Sequence, residues 1–151
     1  EMMIVIAVIA ILAFVLIPRS GLVQDSAKEA GVEANARIVQ GLTEGMTHRY
    51  TAGGTLRNAL ISKINGGGAA SASQVQNPFT FNKGAGTGEV GQTISDVAVV
   101  VSASSAPDTA AANKGSIWVQ VADSPANITI TPYDKNGAAI AGGAITVKWG
   151  S

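Results

Sequence analysis

Hydrophobic and polar positions divide this chain into two unequal parts. From Met2 to Ile17, sixteen consecutive residues lack a polar side chain, and Glu1 stands directly before them. The run has no polar face, so it predicts a helix that is apolar all round. At 1.5 Å per residue it covers roughly 24 Å. A bilayer core asks for about 20 residues, or roughly 30 Å, so the run is slightly short of a span. It is a poor match to a secretory signal, which needs basic residues before the apolar core and small ones after it. Here an acid precedes the core, and Leu16, Ile17 and Pro18 close it. A carboxylate beside apolar surface is costly unless something neutralises it. The plainer reading of Glu1 is an acid at a helix N-terminus, favoured by the macrodipole.

Beyond Pro18 the pattern turns amphipathic. Residues 20 to about 50 predict a continuing helix, with Ala27, Ala30, Ala34 and Ala36 favouring it. Leu22, Val32, Val39, Leu42 and Met46 supply apolar positions at helical spacings. Glu33–Arg37 and Glu44–His48 are spaced as i,i+4 pairs. Gly21, Gly31, Gly41 and Gly45 cost about 1 kcal/mol each inside a helix. They suit close packing, either between subunits or within the domain. Stem and continuation together make one helix of roughly 75 Å. The remaining hundred or so residues cannot bury all of it, so its first half needs another partner.

Thr51-Ala52-Gly53-Gly54 ends that helix. Thr55 to Ile64 predicts a second, with Leu56, Leu60 and Ile64 on one face, Thr55 near its cap and Gly66-Gly67-Gly68 as its stop. Residues 65–95, rich in Gly, Ala, Ser and Asn, read as a long loop. Four β-rich runs follow at Val97–Val101, Ser116–Ala122, Asn127–Thr131 and Ala144–Trp149. Asp134-Lys135-Asn136-Gly137 suits a type I′ hairpin turn, and Gly142-Gly143 a bulge or tight bend. The expected fold is α+β: a long N-terminal helix whose C-terminal half packs on an antiparallel four-stranded meander. The expected divisions are a stem at 1–18, its amphipathic continuation at 19–50 and a globular head at 51–151.

Charge removes several function classes. Ten basic and ten acidic residues balance, and charged residues are only 13% of the chain. Nothing draws nucleic acid electrostatically, and aromatics at 5% offer no base-stacking surface. There is no cysteine, hence no disulfide and no thiolate-bound metal. His48, the lone histidine, sits beside Glu44 as a solvated pair would. No hydrolase, zinc-protease or nucleotide-binding motif is present. Gly84-Ala85-Gly86-Thr87-Gly88 lacks the strand-to-helix setting of a phosphate loop and reads as loop. Asp134 and Asn136 suit a turn better than a calcium site, and Asn127-Ile128-Thr129 is read as a chance sequon inside a strand. No enzyme, cofactor or metal is expected.

Glu1, the run Met2-Met3-Ile4-Val5-Ile6-Ala7-Val8-Ile9-Ala10-Ile11-Leu12-Ala13, then Phe14, and Leu16-Ile17-Pro18 together resemble the N-terminal segment of type IV pilins. In that family a glutamate heads an unbroken apolar helix and a proline follows 17 positions later. About 20 residues match closely and the following helix loosely. The family has a short apolar stretch before the glutamate, so the chain is expected to start a few positions late. The resemblance implies the type IV pilin fold and a homopolymer of identical subunits. It implies an inner-membrane precursor processed by prepilin peptidase and the pilus assembly machinery, then a filament on the cell surface. Met2, Met3, Ile4, Val5, Ile6, Val8, Ile9, Ile11, Leu12, Phe14, Leu16 and Ile17 would pack the filament core. Glu1 would pair with a neighbouring N-terminal amine and set the axial register. Pro18 would mark a kink or local unwinding. The family often carries glycine in mid-segment and this chain does not, which confines unwinding to the residues just before Pro18. The same stem suits a minor pilin, a type II secretion pseudopilin, or a membrane-anchored binding protein that never polymerises. Adhesion, motility, DNA uptake and electron transfer all remain compatible with it.

Overall fold

The computed structural model describes residues 1–88, 96–124 and 126–149; within these, the side chains of residues 16–20 lie outside the description. The chain folds as α+β. Helix α1 runs Met2–Glu44 and α2 runs Gly53–Ile64, and short 3-10 turns lie at Ala70–Ala72 and Ala111–Asn113. The strands are β1 (Ala85–Thr87), β2 (Val99–Ser102), β3 (Ile117–Asp123), β4 (Ala126–Pro132) and β5 (Ile145–Lys148). They form one sheet in chain order.

The sheet differs from the expected four-stranded antiparallel meander. It has five strands and is mixed: β1–β2 and β2–β3 are parallel, while β3–β4 and β4–β5 are antiparallel. The added strand, β1, falls in the segment read as loop, on the Gly84–Gly88 stretch. Alanine and glycine give it no intrinsic strand preference. Tertiary contacts supply the reason for its order. The buried Asn65 side chain accepts from the Ala85 N–H (2.7 Å) and donates to the Ala85 carbonyl (3.1 Å). Gly84 has φ 76, and a side chain there would strike Ala70 and Asn65. A parallel pair needs a crossover rather than a tight turn. Residues 103–116 cross from β2 to β3 over the face of the sheet away from the helices.

That crossover creates a second apolar cluster. The helix-facing core unites Val32, Ala36 and Val39 of α1, Leu56 and Leu60 of α2, and Val99, Val119, Val121, Ile128 and Ile130 of the sheet. On the opposite face Val100, Trp118 and Tyr133 are buried, with Val97 and Ala106 packed against them. Trp118 Nε1–H donates to the Ser104 carbonyl (2.9 Å) and Tyr133 O–H to the Pro107 carbonyl (2.8 Å). Burial pushes the Tyr133 phenol up to about 12, with the Asp108 carboxylate adding to the effect. β2 is therefore buried on both faces, and its unbroken Val99-Val100-Val101 run is what such a strand needs.

Other boundaries moved for local reasons. α1 stops at Glu44 rather than near 50, and turns occupy residues 45–49. Gly41 and Gly45 weaken this end. Thr43 Oγ1 donates to the Val39 carbonyl (2.7 Å) and Thr47 Oγ1 to the Glu44 carbonyl (3.1 Å), local bonds that compete with the helical ladder. α2 begins two residues before Thr55, and its free end is capped from afar: Asp123 Oδ1, at the end of β3, accepts the Gly53 N–H (2.9 Å). The turn at 134–137 is not type I′, because only Gly137 has positive φ there. The Gly137 N–H closes it on the Asp134 carbonyl, and Asp134 Oδ1 accepts the N–H groups of Asn136 (2.7 Å) and Ala138 (3.0 Å). A Cβ at Gly137 would collide with the Ala110 carbonyl. The expected bend at Gly142-Gly143 is present, closed by Gly143 N–H on the Ile140 carbonyl at 3.0 Å.

Candidate functional site

The surface that stands out is the first third of α1. Every residue from Glu1 to Val15 is exposed. Met3 is 85% and Phe14 80% accessible, and even Val8, the least accessible of the large side chains there, is 50%. Met2, Ile4, Val5, Ile6, Ile9, Ile11 and Leu12 are exposed with them. Such side chains each gain about 1.5–3 kcal/mol on full burial. A contiguous apolar surface of this kind marks an interaction site. Leu16, Ile17 and Pro18 belong to α1, but their side chains, and the kink expected at Pro18, fall outside the described residues. Among the described residues, no helix is long and apolar enough to cross a membrane.

Glu1 is the N-cap of α1, yet its side chain caps nothing. Among the described residues it has no hydrogen bond and no ion pair. The described residues thus make no use of the carboxylate.

Among the described residues, the head takes hold of α1 from Asp25 onward. Lys135 Nζ lies 3.7 Å from Asp25, and the Lys135 N–H reaches Glu29 Oε1 at 3.5 Å. Phe79 packs between the Lys28 and Lys114 ammonium groups, 5.5 and 5.3 Å from its centroid. Asn35 Nδ2–H donates to the Gln76 carbonyl (2.8 Å). Gly31 lies under Pro78, where an added Cβ would sit 3.1 Å from the proline ring. Gly31 therefore serves packing inside the domain. Gly21 and Gly41 have open space instead.

Two features of α1 went unread in the sequence. Leu22 and Val23, both 66% accessible, extend the exposed apolar surface past the stem. Being adjacent, they lie about 100° apart on the helix, and neither reaches the head. Further along, Val23, Ala27, Ala30, Ala34, Ile38 and Gly41 follow one another at spacings of three and four, and all are exposed. These six positions are uncharged, while the exposed Arg37 lies beside Ala34 and Gly41 at their edge. The pairs expected at Glu33–Arg37 and Glu44–His48 are not among the ion pairs of the described residues, and Glu44 accepts from Gln40 Nε2–H instead (2.8 Å). No protein-family model, curated protein or solved structure matches the chain.

Proposed function

We propose that this chain is a structural subunit of an extracellular filament of the type IV pilus class, polymerising through the apolar end of α1. The observation that carries the reading is an exposed apolar helix surface, headed by a carboxylate, with no partner for either among the described residues. Burying that surface against copies of itself would remove it from water. A contact between different patches on identical chains propagates, and an open chain of such contacts is a helical filament. An α+β head gripping only the far part of α1 is compatible with the type IV pilin fold.

In this reading the apolar end rests in the inner membrane before assembly and in the filament core afterwards. Glu1 selects the stagger, because a desolvated carboxylate without a cation is heavily penalised while a correctly placed pair is not. The chain acts as scaffold and performs no catalysis. Electron microscopy of sheared cell-surface material tests the polymer directly. Glu1→Ala is expected to cut filament number sharply while the head keeps its melting temperature. Normal filaments in normal numbers from that variant would remove Glu1 from the register role. A minor pilin or secretion pseudopilin shares the same stem, and abundance in the sheared fraction separates it from a major subunit.

A further inference from the structure

The sequence contains two Asn-Gly pairs, Asn65-Gly66 and Asn136-Gly137. Such a pair can react with itself. The backbone nitrogen of the glycine attacks the asparagine Cγ, and glycine has no Cβ to obstruct the approach. The step needs that nitrogen and the side-chain carbonyl carbon to meet. The two pairs offer nearly the same nitrogen. Gly66 N–H is bonded to the Lys63 carbonyl at 3.1 Å and Gly137 N–H to the Asp134 carbonyl at 3.2 Å, and both glycines have positive φ.

The side chains differ. Asn65 is buried, and Ala85 holds both ends of its amide: Nδ2–H donates to the Ala85 carbonyl and Oδ1 accepts the Ala85 N–H. Its Cγ is fixed toward β1 and turns to Gly66 only by breaking both bonds. Asn136 is exposed in its turn, and its side-chain amide makes no hydrogen bond among the described residues. The Asp134 carbonyl also accepts the Gly115 N–H (3.1 Å), so it keeps a partner when the Gly137 N–H lets go.

We propose that Asn136-Gly137 is a self-modification site, where the folded chain converts Asn136 to aspartate and isoaspartate while Asn65 is spared. The Gly137 nitrogen gives up its proton and bonds to Asn136 Cγ. The Cγ–Nδ2 bond breaks, and ammonia leaves with that proton as a succinimide closes. Water then opens either ring carbonyl. One opening gives aspartate. The other gives isoaspartate, whose backbone runs through the former side chain and is longer by a methylene. That added length arrives where there is no slack. The Gly137 carbonyl accepts the Ala110 N–H (3.2 Å), and the Ala110 carbonyl leaves no room even for a Cβ at Gly137. Isoaspartate at 136 therefore displaces Gly137 and loosens residues 103–116 from the turn. Aspartate adds a charge beside Asp134 and leaves the backbone path unchanged.

The test ages the folded full-length chain in warm, mildly alkaline buffer and maps its peptides by mass spectrometry. Asn136 is expected to become acid roughly tenfold or more faster than Asn65, because the Asn65 amide reacts only after a local opening. In denaturant the two pairs should react at similar rates. An isoaspartyl methyltransferase should label the aged chain, and Asn136→Gln, an exposed change that should leave the melting temperature alone, should remove the label. Hydrogen exchange at the Ala110 N–H should quicken in the isoaspartyl form. It should stay unchanged in Asn136→Asp, which carries the charge without the added methylene. Equal conversion of both asparagines in the folded chain, or an Asn136 that stays an amide there, overturns the proposed site. Unchanged exchange at Ala110 in the isoaspartyl form overturns its effect on residues 103–116.

Discussion

Residues 2–15 and 25–44 belong to one helix and have opposite surroundings. In the upper stretch Val32, Ala36 and Val39 are fully or almost fully buried against α2 and the sheet, while Glu33, Ala34 and Arg37 face water. One face has a partner within the chain and the other needs none. In the lower stretch every face is apolar and every residue exposed. An amphipathic helix can be completed by its own domain, whereas a helix apolar all round must be completed from outside. The two stretches should therefore answer to different measurements, the upper one to unfolding and the lower one to assembly.

The largest expected contrast uses the same kind of truncation in each region. Leu60→Ala, opposite the upper stretch, should destabilise the head by about 2–5 kcal/mol, because it empties a closed core. Ile9→Ala should leave denaturant unfolding of the head within about 0.5 kcal/mol and instead lower filament yield. Equal losses of head stability from both would break the comparison.

A smaller effect is expected on the far side of the sheet. Folded Tyr133 holds its proton up to about 12 against an ordinary value of 10.0. Its contribution is whole below pH 10 and declines as pH rises toward 12, since the unfolded phenol ionises first. The loss should approach about 2–3 kcal/mol. Tyr133→Phe should flatten the alkaline limb of the stability profile, and an unchanged limb would show that another group governs it.

The smallest effect marks the boundary between the two stretches. Lys135 meets Asp25 with both side chains about two-fifths accessible. Lys135→Ala should cost under about 1 kcal/mol, and less in high salt. A larger loss would mean that the head's grip on the lower turns of α1 is tighter than solvent-screened charges allow.

Much of this layout was legible in the residues because it depends on local patterns. The stem showed itself as an unbroken apolar run, α2 as Leu56, Leu60 and Ile64 at i+4 steps, and β3 to β5 as β-rich runs. The exposed Leu22 was less legible, since helical spacing says which residues share a face but not how far down the helix the head extends. β1 was illegible for a different reason. Its order comes from Asn65 bonding both sides of Ala85 across twenty residues of sequence. Val99-Val100-Val101 did hold a signal for cover on both faces, which reading the run as one strand of an antiparallel meander passed over.

What the sequence alone determined, then, is the imbalance: an apolar helix headed by Glu1, longer than its own chain can bury. That follows from side-chain hydration and helical geometry, which need no tertiary information. Tertiary structure alone decided where the head grips α1, that three of the five strands run parallel, and that residues 103–116 close over Trp118 and Tyr133. Each depends on a chain path between distant segments, and the energies that select such a path are contacts no single segment contains.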